Sequence, residues 1–230
     1  MFETKITFRF YSEYDTKGIT GFLNTMAVKG WMLAKKSGVY YRFVKTDKAF
    51  VKYDITYFAD ANKENNFLPY GADRYFEMAK AAGWQFVTND NKMMIFVSEN
   101  PDAPPLETEP MMKVDVIHQS FLYTWMPLYL LQGVNGLIRL IDKRIDIYDI
   151  LLIAGAFGFL YDLYCYLVWY FKAKKAAAEG WYLETKTPFV RMYVTPIILL
   201  LMLGMLYKII GIKAGIFFTA IALIYIIAHD

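Results

Sequence analysis

The sequence predicts an α+β cytosolic domain, two β-α-β-β repeats forming an antiparallel sheet with two helices, followed by an all-α transmembrane bundle of four helices. Three observations carry this expectation. Met26-Ala27-Val28-Lys29-Gly30-Trp31 returns as Met78-Ala79-Lys80-Ala81-Ala82-Gly83-Trp84, and each copy is followed by a strand, a turn and a second strand. Between residues 99 and 110, Pro101, Pro104, Pro105 and Pro110 stand among acids with no base. From Ser120 onward, apolar runs of membrane-spanning length alternate with short charged loops. The chain therefore divides into a duplicated domain over 1–98, a Pro/acid-rich linker and juxtamembrane segment over 99–119, and a transmembrane domain over 120–230.

Each element has a local cause. Thr4 to Phe10 alternates apolar and polar side chains as a half-buried strand does. Ile19, Phe22, Leu23, Met26 and Ala27 recur at helical spacing, and Gly30 stands where a helix end wants a left-handed residue, since glycine has no Cβ to make positive φ costly. A hairpin follows, Trp31 to Lys36 and Val39 to Lys45 around Ser37-Gly38. In the second repeat, Phe50 to Phe58 is a strand, Ala72, Tyr75, Phe76, Ala79 and Ala82 form a helix stripe closed by Gly83, and Trp84 to Val97 makes a hairpin around Asn89-Asp90-Asn91. The proline-rich segment 99–110 reads as an extended linker. Beyond it the expected spans are about 120–141, 147–171, 192–210 and 214–228, which place both termini in the cytosol of a multi-pass bacterial cytoplasmic membrane protein; the five bases of residues 172–191 agree with the positive-inside rule.

The 230 residues are 57% hydrophobic, above the roughly 45–50% apolar share of ordinary soluble domains. A net charge of +3 is too small to argue for nucleic acid. The single cysteine, Cys165, excludes an intrachain disulfide.

The run Leu23 to Trp31, with Gly38-Val39-Tyr40-Tyr41-Arg42-Phe43, Tyr53-Asp54-Ile55-Thr56-Tyr57 and Phe76 to Trp84, resembles a bacterial family of unknown function. The resemblance covers roughly residues 3–98. It implies a cytosolic module followed by transmembrane helices, often encoded beside PadR-type transcriptional regulators. It implies no catalytic residue.

Trp31 and Trp84 each begin a strand just after a helix end, a position from which a large ring packs across the helix–sheet seam. A second reading has the two rings line, with Tyr40, Tyr41, Tyr53 and Tyr57, a cleft for a small apolar or aromatic ligand. Gly180-Trp181 is a third Gly-Trp helix ending. Five polar residues fall within the expected spans: Gln132, Asn135, Arg139, Asp149 and Asp162. Arg139 and Asp149 are spaced to pair across a hairpin, whereas Asp162 lies deeper, with no basic residue level with it. No metal-ligand spacing, phosphate loop or nucleophile elbow occurs, so no cofactor or metal is expected.

The function these features imply is regulatory or sensory and non-enzymatic: a membrane-anchored protein, in contact with the lipid bilayer, whose cytosolic domain binds a protein partner or small ligand. Homo-oligomerisation stays open and nucleic acid is not expected. A transporter or transporter-accessory role is the alternative, resting on the polar residues of the spans. A membrane enzyme acting on a lipid-like substrate is the second.

Overall fold

Two repeats form the expected elements, but each closes a sheet of its own. The computed structural model describes residues 3–47, 52–58, 72–106, 108–127, 129–131, 133–134, 147–197 and 200. The first repeat contains β1 (Thr4–Phe8), α1 (Thr16–Val28), β2 (Trp31–Ser37) and β3 (Tyr40–Lys45). The second contains β4 (Lys52–Tyr57), α2 (Ala72–Ala81), β5 (Gln85–Asp90) and β6 (Met93–Ser98). Strand order is β1-β3-β2 in one sheet and β4-β6-β5 in the other, antiparallel throughout.

Correspondence between the repeats extends to backbone irregularities. β2 breaks register between Leu33 and Lys35, and β5 does so at the matching place between Phe86 and Thr88. Gly30 and Gly83, each following a helix, have φ of +75° and +85°, and the two hairpin turns place Gly38 and Asn91 at +55° and +53°. Positive φ at these turns is cheap for glycine and tolerable for asparagine. The β2 and β5 edges lie side by side. They do not pair, because a bulge disrupts a ladder and the Leu33 N–H donates instead to the Tyr53 hydroxyl at 3.0 Å. One continuous sheet is therefore replaced by two.

Sheet faces then decide where the core sits. Leu33, Tyr41 and Phe43 face Ile19, Leu23 and Met26 of α1, and the same core takes Tyr53, Ile55, Tyr57, Met93, Ile95 and Val97 from the second sheet. Helix α1 thus touches β2 and β4 alike. The opposite face of the second sheet, Met94 and Phe96, packs with Ala79 of α2 and with Trp84. Every residue of β6 is buried, as a continuous apolar strand covered on both faces requires.

The segment after β6 is packed rather than extended away. Ala103 is buried, Trp84 Nε1 donates to the Pro104 carbonyl at 2.7 Å, and Leu106 N–H donates to Asp54 at 2.7 Å. Lys52 Nζ reaches the carbonyls of Pro101 and Ala103 at 2.9 and 2.5 Å. Two further helices complete the main core. From α3 (Pro110–Thr124) come Val114, Ile117 and Phe121, and from α4 (Ile147–Ala178) come Phe159, Tyr166, Trp169, Ala173 and Ala177.

The expected transmembrane bundle is corrected here: among the described residues, no helix is long and apolar enough to cross a membrane. The multi-pass placement and the membrane-protein class fall with it. Several aromatic residues after Ser120 use their rings for packing and their polar atoms for hydrogen bonding inside the fold. Tyr166 shares a 2.6 Å hydrogen bond with His118 Nδ1, Tyr129 bonds Asp162, and Trp169 stacks on Tyr14 with ring centroids 4.5 Å apart. Helix α3 begins at Pro110, ahead of the first expected span, and carries Lys113, Asp115 and His118. Residues Val190–Val194 form a π-helical turn around buried Arg191, where the third span was expected to begin. Gln132, Asn135 and Arg139, the span 214–228 and residues 198–199 and 201–210 of the third span lie outside the described residues, as does the Asp149 side chain.

The repeats differ in how they use their tryptophans. Trp84 is 2% exposed and hydrogen-bonded, whereas Trp31 is half-buried, with Lys5 and Lys45 ammonium groups 5.5 and 4.9 Å from its ring. Chemical denaturation should therefore show Trp84→Ala losing about 3–5 kcal/mol, the usual cost of emptying a buried aromatic site. Trp31→Ala should lose less than half as much. Equal losses would contradict the asymmetry.

Candidate functional site

The turn leading into α1, Ser12 to Thr16, is where the two halves of the chain meet. Asp15 caps α1, its Oδ1 accepting the Gly18 N–H at 2.8 Å. Its Oδ2 accepts both the N–H and the hydroxyl of Thr187, at 2.8 and 2.7 Å. The neighbours repeat the join: Ser12 N–H donates to Thr187 Oγ1 at 3.0 Å, Thr16 Oγ1 to Glu184 at 2.9 Å, and the Tyr182 hydroxyl to the Tyr14 carbonyl at 3.0 Å. Gly18 is required by this closure, since a Cβ there would lie 2.5 Å from Asp15 Oδ2.

Behind the turn lies a buried polar centre. The Ser120 hydroxyl donates to Glu13 at 2.8 Å, and the Tyr57 hydroxyl donates to the Glu13 carbonyl at 2.5 Å. Burial pushes the Glu13 carboxyl above the usual range, the charge of Asp90 pushes it further, and Ser120, Lys36 and Arg191 oppose both. Deeper in, the Tyr129 hydroxyl donates to Asp162, whose same oxygen lies 3.5 Å from Arg191 Nη1. Both charged side chains are about 2% exposed. The Arg191 guanidinium also stacks over Trp125, 4.1 Å from the ring. Asp162 Oδ1 and Arg191 Nε have no partner among the described residues. Between Glu13 and Arg191 is a cavity of about 10 Å³, lined also by Ser12, Tyr14 and Phe121. That volume is at the lower bound for one water molecule.

A second buried pair ties the hairpin turns of the repeats together. Lys36 Nζ donates to Asp90, which also accepts the Gly38 N–H at 3.0 Å, while Lys36 reaches the Gly38 carbonyl at 3.0 Å. Burial lowers the Lys36 pKa, but the charges of Asp90, Tyr41 and Glu13 together with the hydrogen bond to Asp90 outweigh it and leave the ammonium more basic than usual.

On the outer side of the Asp15–Thr187 join lies a groove of about 550 Å³. Asp15, Lys17 and Gly18 of the first repeat form one wall, and residues 184–187 with Phe189, Met192 and Tyr193 form the other. Phe189 and Tyr193 are 70% and 58% exposed. Lys113 stands nearby, its ammonium 3.6 Å from the Tyr182 ring; burial brings its pKa down to about 8 despite the opposing charges of Glu184 and Asp54.

The residues singled out for a ligand cleft are placed elsewhere. Tyr41, Tyr53, Tyr57 and Trp84 are buried within the packing described above, Tyr40 is 8% exposed beside Phe8, and Trp31 sits at a sheet end. None of them lines either cavity. Asp162, expected to have no basic residue level with it, meets Arg191, a residue of the expected cytosolic loop. Glu13, Asp15, Thr187 and Arg191 escaped the sequence reading. Asp15 alone carried a local signal, an N-cap acid just ahead of the periodic residues Ile19, Phe22 and Leu23.

Glu13 makes stability depend on pH in a stated direction. Its folded pKa lies above the unfolded value, so the stabilisation is full below about pH 4.5, where both states hold the proton, and is lost as pH rises through the folded pKa. Glu13→Gln keeps an acceptor for Ser120 and removes the titration. Denaturation midpoints measured from pH 4 to 8 should fall more steeply for the native chain than for Glu13→Gln; parallel curves would contradict this assignment.

A family model described as "Protein of unknown function (DUF2812)" matches residues 15–129, half of the chain. No curated protein and no solved structure matches.

Proposed function

The chain belongs to the DUF2812 family of proteins of unknown function, and we propose that it is a regulatory or sensory protein in which a small ligand or partner protein binds at the join between the duplicated domain and the helical half. One observation carries this reading. The groove of about 550 Å³ is lined by residues of the first repeat and by residues from the segment 184–193, and Asp15 and Thr187, whose hydrogen bonds hold the two sides together, both line it. An occupant contacting both walls would favour the closed join over any opened one, and a ligand shifts an equilibrium only through such a difference in affinity.

The aromatic connections supply the route by which that difference would spread. Tyr14, next to Asp15, stacks on Trp169; Trp169 meets Tyr166, and Tyr166 stacks on Phe121 at a centroid distance of 3.5 Å. A displacement of residues 12–16 is therefore felt in both α3 and α4. The neighbouring Glu13 contacts extend it to the second sheet through Tyr57.

Thr187→Val removes the side-chain donor and acceptor of the join at nearly constant volume. The full-length protein, purified under native conditions, should carry a small molecule or protein that mass spectrometry identifies. The variant, folded by circular dichroism, should carry at least about tenfold less of it, the loss expected when hydrogen bonds to a buried charged group are removed. Equal retention by the two proteins would move the binding function away from the join.

A further inference from the structure

We infer that the groove beside Asp15 takes a small amphipathic anion, an acidic head on an apolar tail; this rests on the reading of the groove as a binding site. Four charged side chains line it: Asp15, Lys17, Glu184 and Lys186. The two acids are already engaged. Asp15 accepts three hydrogen bonds, from Gly18 N–H and from both donors of Thr187, and sits at the positive end of α1. Glu184 accepts the Thr16 hydroxyl at 2.9 Å and lies within the field of the Lys113 ammonium. The two bases are different: neither Lys17 nor Lys186 has a side-chain hydrogen bond or ion pair among the described residues, and both are exposed. The four charges sum to zero, but both oxygens of Asp15 are already filled by hydrogen bonds, so the two ammonium groups are the charged heads most open to an incoming ligand.

The remaining wall is apolar. Phe189 and Tyr193 pack on each other with ring centroids 4.9 Å apart, on successive turns of the segment that starts the π-helical turn, and Met192 lies between them in sequence. Exposed aromatic rings beside unpaired ammonium groups suit a ligand with both characters, since the rings bury a tail and the lysines meet a charged head. Lysine ammonium groups act as point charges on flexible stems and impose no fork geometry, so carboxylate and phosphate heads are equally admissible.

Calorimetric titration of the full-length protein, with amphiphiles below their micelle-forming concentrations, tests this. Decanoate and decyl phosphate should bind, and the better of the two identifies the head group. Decanol and decyltrimethylammonium should bind at least about tenfold more weakly, and Lys17→Gln with Lys186→Gln should weaken decanoate by a similar factor while leaving decanol unchanged. Tyr193→Ala should weaken all four. Decanol or the cation matching decanoate would overturn the anionic assignment, as would decanoate binding that the lysine pair does not affect, or no binding of either acid at millimolar concentration. Hydrogen exchange separates this inference from the regulatory reading. If decanoate binds as expected but leaves the exchange of α1 and residues 184–193 unchanged, the ligand class stands and the regulatory coupling falls.

Discussion

Asp15 has two oxygens and gives each to a different half of the molecule. Oδ1 closes the first turn of α1, and Oδ2 holds the backbone and hydroxyl of Thr187. A carboxylate only 5% exposed is costly unless its acceptor capacity is filled. Here three donors fill it, two of them backbone N–H groups that would otherwise also need partners. The arrangement explains Gly18, the one residue type that lets the carboxylate fold back so closely over the helix start. It also fixes where the neighbours point: Glu13 inward to Ser120, Tyr14 onto Trp169, Thr16 outward to Glu184. Substituting this one side chain would loosen a helix start, a long-range join and the orientation of a buried carboxyl together.

The duplication gives the two repeats the same backbone and different surroundings. Matching bulges, matching positive-φ turns and matching helix-ending glycines show that local chemistry was kept. Their surroundings diverge because the second sheet is covered on both faces and the first is not. Helix α1 serves both sheets, leaving Ile6 and Phe8 on the far side of the first sheet 54% and 60% exposed. In the second repeat, α2 covers Met94 and Phe96 while the opposite face joins the main core. Equivalent tryptophans therefore differ in burial: the packed segment after β6 meets Trp84 through Pro104, whereas half-buried Trp31 packs at the edge of the main core with two lysine ammonium groups over its ring.

What the sequence made legible follows from the range of the interactions involved. Period-two alternation, helical stripes and glycines with positive φ act within a few residues, and they place β1 to β6, α1 and α2 correctly in kind and order. The division into two sheets depends on whether the β2 and β5 edges pair, which is decided by a bulge and by the hydroxyl of a tyrosine twenty residues away. Composition misled in the second half. In 147–171, Tyr166 and Trp169 spend their rings on the domain core and their polar atoms on His118 and the Leu183 carbonyl, contacts that composition does not show. The candidate site was least legible, because Glu13 and Arg191, or Asp15 and Thr187, are separated by more than 170 residues and become neighbours only after α3 and α4 have packed against the domain.

The buried charges show how strongly that packing is specified. A charge left alone in an interior costs several kcal/mol, so each must meet its counterpart as the halves close. Lys36 with Asp90 is satisfied within the duplicated domain, by its two hairpin turns. Asp162 is paired with Arg191 within the helical half, beside Tyr129 and Trp125. Glu13 belongs to neither: it is contributed by the domain and bonded by Ser120 of α3, between the two ion pairs, and its carboxyl is influenced by Asp90 and Lys36 on one side and Arg191 on the other. Its proton is thus a buried group whose affinity depends on both halves being in place. Whatever loosens the join at Asp15, two residues away, changes the surroundings of that proton, and by linkage a change in the proton must in turn act on the join.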